Sequence, residues 1–310
     1  MAMRILVVGA GATGGFFGGL LAQAGRDVTF LVRPARAVAL RRSGLQIVSP
    51  HGDRTLQPAL VTSAELRDPY DVVIFAVKAF ALKGAIADFA AAVGPQTMIV
   101  PLLNGMHHLD LLLERFGPQS AMGGVCYVAT TLDESGRIVQ LDPNLQSLVY
   151  GERDGTRTPR AEALDALLRD AGFEARLSAS IVHEMWEKWT ILASLGAITC
   201  LLRGNVGQIE AVPGGAQIAL RLLAEVASIA TAAGYPLREE FAARATGAVS
   251  EPGSPRATSM YRDLNDGRPV EVEQILGDLT TRARGFGLDT PLLDAATAQL
   301  RIYQQRLAKG

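Results

Sequence analysis

The sequence predicts an α/β fold in which an N-terminal domain built on a parallel β-sheet precedes an all-helical C-terminal domain. In the first half of the chain, short unbroken apolar runs alternate with helical patterns. Such runs are typical of parallel strands that are covered on both faces. After about Leu177 the strand-like runs end and the remaining segments have helical spacing. We therefore expect two domains, residues 1–179 and 180–310.

The predicted first domain contains a parallel sheet, an inserted hairpin and further strands before a closing helix. The sheet strands are expected at Arg4–Val8, Val28–Val32, Asp71–Val77 and Thr97–Leu103. The hairpin covers Gln46–Val61 and turns at His51-Gly52-Asp53. The later elements are Val125–Thr131, Ile138–Leu141, Leu148–Gly151 and a helix over Ala161–Ala171.

The predicted second domain is helical throughout, with Gly and Pro clusters between its helices. Its helices are expected at Ser180–Leu202, Ala216–Ala233, Leu237–Val249, Val270–Arg284 and Pro291–Leu307.

Composition argues against several classes of partner. The formal net charge is -1, which disfavours nucleic acid and anionic membranes. No run reaches the roughly 18 apolar residues of a membrane span, and the N-terminus lacks the pattern of a secretory signal. Cys126 and Cys200 lie in apolar runs, and no Cys/His spacing indicates a metal site. We expect a cytoplasmic protein that uses no metal.

The segment Gly9-Ala10-Gly11-Ala12-Thr13-Gly14 follows the first predicted strand and opens a helix. In this GxGxxG context the first glycine permits a tight turn, and the second lets backbone approach a pyrophosphate. The third permits close packing of helix and strand. The helix N-terminus adds free N–H groups and a positive dipole end. The sequence therefore predicts a Rossmann-type site in which Gly9, Gly11, Ala12, Thr13 and Gly14 bind a dinucleotide.

The end of the second strand predicts which dinucleotide is bound. An enzyme that uses NAD usually carries an acid there to bond the ribose 2′-hydroxyl. This chain reads Phe30-Leu31-Val32-Arg33, and a guanidinium suits a 2′-phosphate. The pattern favours NADPH, with Arg33 as the phosphate ligand and Arg36 as a second candidate.

Taken with this loop, further segments resemble the ketopantoate reductase (2-dehydropantoate 2-reductase) family. They are Ala76-Val77-Lys78-Ala79, Asn104-Gly105-Met106, His183–Trp189, and Ser259–Asp263 followed by Glu271. The resemblance extends from about residue 3 to 305. It implies NADPH-dependent reduction of ketopantoate to pantoate, a reaction of pantothenate biosynthesis, by a homodimer.

The resemblance also implies site residues. Lys188 matches the family's catalytic lysine and Glu271 its partner glutamate, with Glu273 as the nearest rival. Asn104 and Ser259 match residues near the substrate, Asn104 also lying near the nicotinamide, and Lys78 matches a lysine beside the cofactor. The chemistry suits these residue types, because a lysine ammonium can polarise a carbonyl and protonate the alkoxide that hydride addition leaves.

Two positions depart from the family pattern. The family usually places asparagines four and eight residues after the lysine, where this chain has Leu192 and Gly196. The loss of both amides predicts a 2-keto acid that is more apolar or bulkier than ketopantoate. Thr199, eleven residues after the lysine on the same face, could supply a hydroxyl.

Several alternatives remain open at this point. The chain could reduce an imine or a β-hydroxyacid-type substrate, or could be a non-catalytic regulator that senses NADP. Lys188 could be a surface lysine, Ser259 a helix N-cap and Asn104 a turn residue. Arg203 could line the site or end the long helix, and the pair His107-His108 has no assigned role.

Overall fold

The computed structural model describes residues 3–309, which form two compact units. The first unit runs to residue 103 and continues over 108–182, and the second consists of 104–107 and the chain from residue 183 onward. The division therefore falls after residue 182 rather than 179, and a four-residue segment of the N-terminal half, 104–107, belongs to the second unit.

The first unit combines three sheets with five helices in the described part of the chain. Its strands are β1 (Arg4–Val8), β2 (Asp27–Leu31), β3 (Leu45–Val48), β4 (Arg54–Leu56), β5 (Ala59–Val61), β6 (Val72–Phe75), β7 (Met98–Pro101), β8 (Gly123–Val128), β9 (Thr130–Leu132), β10 (Ile138–Gln140), β11 (Gln146–Gly151) and β12 (Glu174–Leu177). Its helices are α1 (Ala12–Gln23), α2 (Pro34–Ser43), α3 (Leu82–Asp88), α4 (His107–Phe116), which begins at the unit division, and α5 (Pro159–Leu168).

The central sheet has five parallel strands in the order β5-β2-β1-β6-β7, as the apolar runs predicted. Val8 is paired with Leu31 on one side and with Phe75 on the other. Alternate residues of β1 enter different cores: Ile5 and Val7 pack in one, and Leu6 and Val8 in the other. The chain proceeds from β1 to β2 on one side and returns to β6 on the other, so the switch point for ligand binding lies at the carboxyl ends of β1 and β6.

The two smaller sheets have the orders β4-β3-β10-β9 and β12-β11-β8. The β3–β4 hairpin confirms most of the predicted insertion, with its turn around Gly52 at φ +103°. Residues 59–61 instead join the central sheet beside β2. Strand β12 was missed because Glu174-Ala175-Arg176-Leu177 is short and rich in helix-forming residues, and pairing with β11 overrides that preference.

The second unit is helical, as predicted. Its elements are α6 (Ile181–Leu202, whose first two residues belong to the first unit), α7 (Val206–Glu210), α8 (Gly215–Ala232), α9 (Glu239–Ser250), α10 (Ser259–Asn265), a π-helical segment Glu273–Gly277, α11 (Asp278–Gly285) and α12 (Pro291–Leu307). Among the described residues, α8 has the length and composition of a membrane span, but its apolar stripe is buried among other helices. The predicted helix over 270–284 is interrupted by the π-helical segment, which simple periodicity does not detect.

Candidate active site

The glycine-rich loop Gly9–Gly14 joins β1 to α1 in a conformation that requires glycine. Gly9 has φ +97°, a left-handed conformation that is strained for other residues. A Cβ atom on Gly14 would lie 2.3 Å from the Gly9 carbonyl oxygen and would force helix and strand apart. The Gly9 N–H donates to the Leu31 carbonyl at 3.1 Å and fixes the loop against β2. The loop therefore has the tight turn and close packing of a dinucleotide site.

The N-terminus of α1 is suited to an anionic ligand. Gly11 is the N-cap residue, no side chain caps the helix, and its first turn contains no acidic residue. A Cβ atom on Gly11 would meet no atom within 4 Å, so backbone can be approached there. The N–H groups of Ala12, Thr13 and Gly14 lie in the first turn, where helices have unsatisfied donors and a positive dipole end. This donor set fits a pyrophosphate.

The two arginines that follow β2 have different surroundings. Arg33 is exposed at the N-cap position of α2, directly after the buried Val32. Nη2 of Arg36 donates to the carbonyl oxygens of Ala10, at 3.3 Å, and Gly136, at 3.1 Å. Arg36 therefore braces the glycine-rich loop, and Arg33 is the better candidate for contacting a ribose phosphate.

The segment after β6 contacts the same glycines. The Ala76 carbonyl oxygen lies 2.9 Å from the position of a Cβ atom on Gly9, and the Ala76 Cβ lies 3.0 Å from one on Gly14. Lys78 follows and is exposed at the start of a short 3₁₀ turn, Ala79–Ala81. Gly9, Gly14 and Lys78 are thus all at the carboxyl ends of β1 and β6.

The predicted catalytic and substrate-binding residues all lie in the second unit, although they are far apart in sequence. Asn104 belongs to the 104–107 segment, Lys188 and Thr199 are on α6, Ser259 begins α10, and Glu271 precedes the π-helical segment.

Lys188 is half-buried in the second turn of α6, between two anchored neighbours. Glu187 is 1% exposed and accepts hydrogen bonds from the backbone N–H of Arg238 at 3.2 Å, from its Nε at 2.9 Å and from its Nη2. Burial opposes the charged form of Glu187, but the bonds from Arg238 outweigh it and hold the pKa of this carboxyl below its ordinary value. Nε1 of Trp189 donates to the Ile275 carbonyl at 2.9 Å. Glu187 is therefore not a surface charge, and the helix is fixed on both sides of Lys188.

The Asn104-Gly105 turn packs against the π-helical segment. Nε2 of Gln274 donates to the Asn104 carbonyl at 2.8 Å, and Gly105 has φ +80°. Asn104 is therefore a turn residue, and this role of its backbone is compatible with the predicted role of its side chain. Sequence reasoning missed Gln274, for which the only signal was a glutamine among apolar residues of a predicted helix.

The two glutamates that competed for the catalytic role are clearly different. Glu273 is exposed and forms a two-pronged ion pair with Arg301, both N–O distances being 2.7 Å. The hydrogen bonds from Arg301 lower the pKa of Glu273. Glu271 is half-buried and its carbonyl accepts the N–H of Ile275 at 3.1 Å, at the entrance to the π-helical segment. Glu273 is thus occupied by an ion pair, and Glu271 is the better candidate.

Ser259 does not cap α10. Thr258 is the N-cap residue, and its Oγ1 accepts the N–H of Tyr261 at 3.2 Å. Ser259 is exposed in the first turn, so its hydroxyl is not used for capping. The N-cap alternative for Ser259 is therefore wrong, and the substrate role is unaffected.

The positions that depart from the family pattern have distinct surroundings. Leu192 is half-buried, one turn after Lys188. A Cβ atom on Gly196 would lie 2.6 Å from Cε of Met260, so this chain's own methionine fills the volume that a side chain would occupy there. Thr199 is fully buried and its hydroxyl donates to the Leu195 carbonyl at 2.6 Å. These placements do not support a wider pocket at Gly196 or a substrate contact by Thr199.

Arg203 terminates α6. It adopts φ +57°, and the N–H of the following Gly204 donates to the Thr199 carbonyl at 3.3 Å, closing the last turn. These observations favour the helix-ending interpretation of Arg203.

Of the pair His107-His108, His108 is fully buried in the first unit.

Comparisons with known proteins find relatives over nearly the whole chain. Residues 5–155 match the family described as ketopantoate reductase PanE/ApbA, and residues 180–304 match its C-terminal part. The chain is 33% identical over 302 residues to the uncharacterized oxidoreductase YkpB of Bacillus subtilis, covering 97% of this chain and 99% of that protein. It is 29% identical over 323 residues to a 2-dehydropantoate 2-reductase of Mesorhizobium japonicum, covering 96% and 97% of the two chains.

Solved structures show the same fold. A PanE/ApbA family ketopantoate reductase from Ralstonia eutropha JMP134 superposes with a TM-score of 0.88 at 22% identity, covering 99% of this chain and all of that one. A D-mandelate dehydrogenase in a ternary structure with NADH and anilino(oxo)acetate superposes with a TM-score of 0.86, also at 22% identity and with 99% and 100% coverage. The chain belongs to the ketopantoate reductase PanE/ApbA family of oxidoreductases.

Proposed function

We propose that this protein uses NADPH to reduce a 2-keto acid to a 2-hydroxy acid. The observation that carries the proposal is that the second unit contains all four residues matched to catalysis and substrate binding, Asn104, Lys188, Ser259 and Glu271. The π-helical segment next to Glu271 contacts both the Asn104 turn and Trp189, the residue beside Lys188. A dinucleotide loop in the first unit supports the cofactor part of the proposal.

Lys188 has the central role in this proposal. The nicotinamide, when bound, supplies the hydride that adds to C2 of the keto acid. The Lys188 ammonium polarises the C2 carbonyl and gives its proton to the alkoxide oxygen. Such general acid catalysis typically raises the reaction rate about 100- to 10,000-fold. The Glu271 carboxylate orients the ammonium, and Asn104 and Ser259 hold the substrate by hydrogen bonds.

The preference for NADPH depends on Arg33. No acid follows β2, and the Arg33 guanidinium is exposed where the ribose phosphate is expected. We expect Arg33→Ala to weaken NADPH binding about tenfold or more while changing NADH binding little. The two dissociation constants, measured by nicotinamide fluorescence, test this. Equal losses for both cofactors would contradict a phosphate-specific role.

The identity of the keto acid depends on Leu192. An aliphatic side chain one turn from Lys188 favours an apolar substituent on the substrate over the hydroxylated one of ketopantoate. Leu192→Asn should therefore shift the ratio of kcat/KM values from 2-ketoisocaproate towards ketopantoate. A wild-type enzyme with a large preference for ketopantoate would instead establish the family reaction and overturn this choice of substrate.

The general proposal is tested by measuring NADPH oxidation with a panel of 2-keto acids, for wild type and Lys188→Met. Turnover of at least one keto acid, reduced at least 100-fold in the variant, supports it. NADPH binding without turnover of any keto acid would favour a regulator that senses the cofactor. The homodimer and the cytoplasmic location remain predictions, and sedimentation equilibrium tests the first.

A further inference from the structure

The π-helical segment Glu273–Gly277 is an unusual element beside the candidate catalytic residues. Its wider turn is marked by the Asp278 N–H, which donates to the Glu273 carbonyl five residues earlier. The segment begins two residues after Glu271 and is almost entirely buried. Such single turns of π-helix occur frequently at functional sites.

The Gln274 side chain connects the π-helical segment to the backbone of Asn104. Its side chain is 4% exposed, and its Nε2 donates to the Asn104 carbonyl at 2.8 Å. The next residue, Gly105, adopts φ +80°, and a Cβ atom on it would lie 2.5 Å from the Gln274 carbonyl oxygen. The Asn104-Gly105 turn therefore approaches the π-helical segment as closely as a glycine permits, and the Gln274 amide holds the turn in position.

The neighbouring residue Ile275 connects the same segment to α6. Its carbonyl accepts the indole N–H of the fully buried Trp189 at 2.9 Å, next in sequence to Lys188. One short element therefore fixes the backbone of the Asn104 turn and the helix that carries Lys188, immediately after Glu271. Three candidate catalytic or substrate-binding residues thus depend on a common support.

We propose that Gln274 is a positioning residue that sets the orientation of Asn104 for the reaction. This inference rests on the proposed function for its kinetic consequence but not for its structural one. The proposed role of Gln274 is indirect, because its Nε2 donates to the backbone carbonyl of Asn104 rather than serving as a substrate ligand in this proposal. Its removal should therefore act on catalysis through Asn104, because small displacements of a group that holds the substrate can cost about 100-fold in rate.

The test compares Gln274→Met with Gln140→Met. Methionine keeps a similar volume and removes the amide. Gln140 is a matched control, because it is also 4% exposed and donates to a backbone carbonyl, that of Asp142, at 3.1 Å, but in the first unit. We expect Gln274→Met to lower kcat with the favoured keto acid about 10- to 100-fold and to leave the Kd for NADPH unchanged. Gln140→Met should leave both unchanged.

A double-mutant cycle separates positioning from a general loss of structure. If Gln274 acts through Asn104, then Gln274→Met should lower kcat less than about twofold in an Asn104→Ala background. Equal losses in both backgrounds would overturn the proposal, as would a Gln274→Met enzyme that behaves like the control.

A second readout does not require turnover. Hydrogen–deuterium exchange of the peptide that covers residues 104–107 should become faster in Gln274→Met and stay unchanged in Gln140→Met. Unchanged exchange at 104–107 in Gln274→Met would overturn the positioning role even if the enzyme were active. Faster exchange in a protein that turns over no keto acid would support the positioning role while contradicting the proposed function.

Discussion

Replacing Arg238 by methionine should destabilise the second unit and reverse the pH dependence that Glu187 contributes. Glu187 is 1% exposed, so the buried negative charge of its carboxylate is compensated mainly by Arg238. Breaking a buried ion pair by removing one partner costs roughly 3–5 kcal/mol. The backbone N–H of residue 238 still reaches Glu187 in the variant, and Arg238 is half-exposed, so the free energy of unfolding should fall by about 2–3 kcal/mol at pH 7.

The sign of the pH effect follows from the two states of Glu187. In the wild type its folded pKa is below the unfolded value of about 4.3, so its stabilisation is complete above that pH and is lost as pH falls through the folded pKa. Without the Arg238 side chain, burial is the largest remaining influence on the pKa of Glu187, opposed by the backbone N–H of residue 238 and by His183. We expect burial to prevail and to raise the folded pKa above the unfolded value. The variant should then regain stability as pH falls from 7 towards 5, so its deficit relative to wild type should shrink.

Urea unfolding followed by tryptophan fluorescence provides the assay, because both tryptophans of the chain, Trp186 and Trp189, lie in the second unit. The matched control is Arg301→Met, which removes the exposed two-pronged pair with Glu273 and should cost less than about 1 kcal/mol. A loss of unfolding free energy for Arg238→Met that equals that of the control, or that stays constant between pH 7 and 5, would contradict this prediction.

Three further predictions concern other parts of the molecule. Gly11→Ala should weaken NADPH binding and lower Tm only slightly, because alanine is a poorer N-cap residue than glycine. Gly14→Ala should lower Tm much more, because its Cβ would lie 2.3 Å from a carbonyl oxygen; calorimetry and cofactor titration distinguish the two variants. Burial raises the pKa of the Cys200 thiol to about 12, so Ellman's reagent at pH 8 should label it only after denaturation, and rapid labelling of the native protein would contradict this. Thr199→Val should leave the KM for the keto acid unchanged, because this hydroxyl donates to the Leu195 carbonyl; a several-fold rise in KM would restore the predicted substrate contact.

Much of the fold was predictable because local patterns and the tertiary structure agree. The apolar runs of β1 and β6 are buried on both faces of a parallel sheet, as such runs indicate. The pattern failed where pairing or backbone geometry decided the outcome. Strand β12 has residues that favour helix, and the π-helical segment has the apolar content of an ordinary helix turn.

The candidate site was predictable in part, through residues whose chemistry is recognisable in sequence. Gly9 and Gly14 are confined by backbone contacts that match the predicted roles of glycines in the loop. The support for these residues was not predictable, since Gln274 contacts Asn104 across 170 positions of sequence. Gly196 could not be interpreted correctly either, because only the structure places Met260 in the volume beside it.

The most direct test of the central claim is transfer of deuterium from NADPH that carries deuterium at both C4 positions of the nicotinamide to a 2-keto acid, with the product analysed by mass spectrometry. We expect a 2-hydroxy acid that carries one deuterium at C2 per NADPH oxidised, and at least a 100-fold slower reaction for Lys188→Met. Oxidation of NADPH without label in a hydroxy acid, or full activity of Lys188→Met, would contradict it.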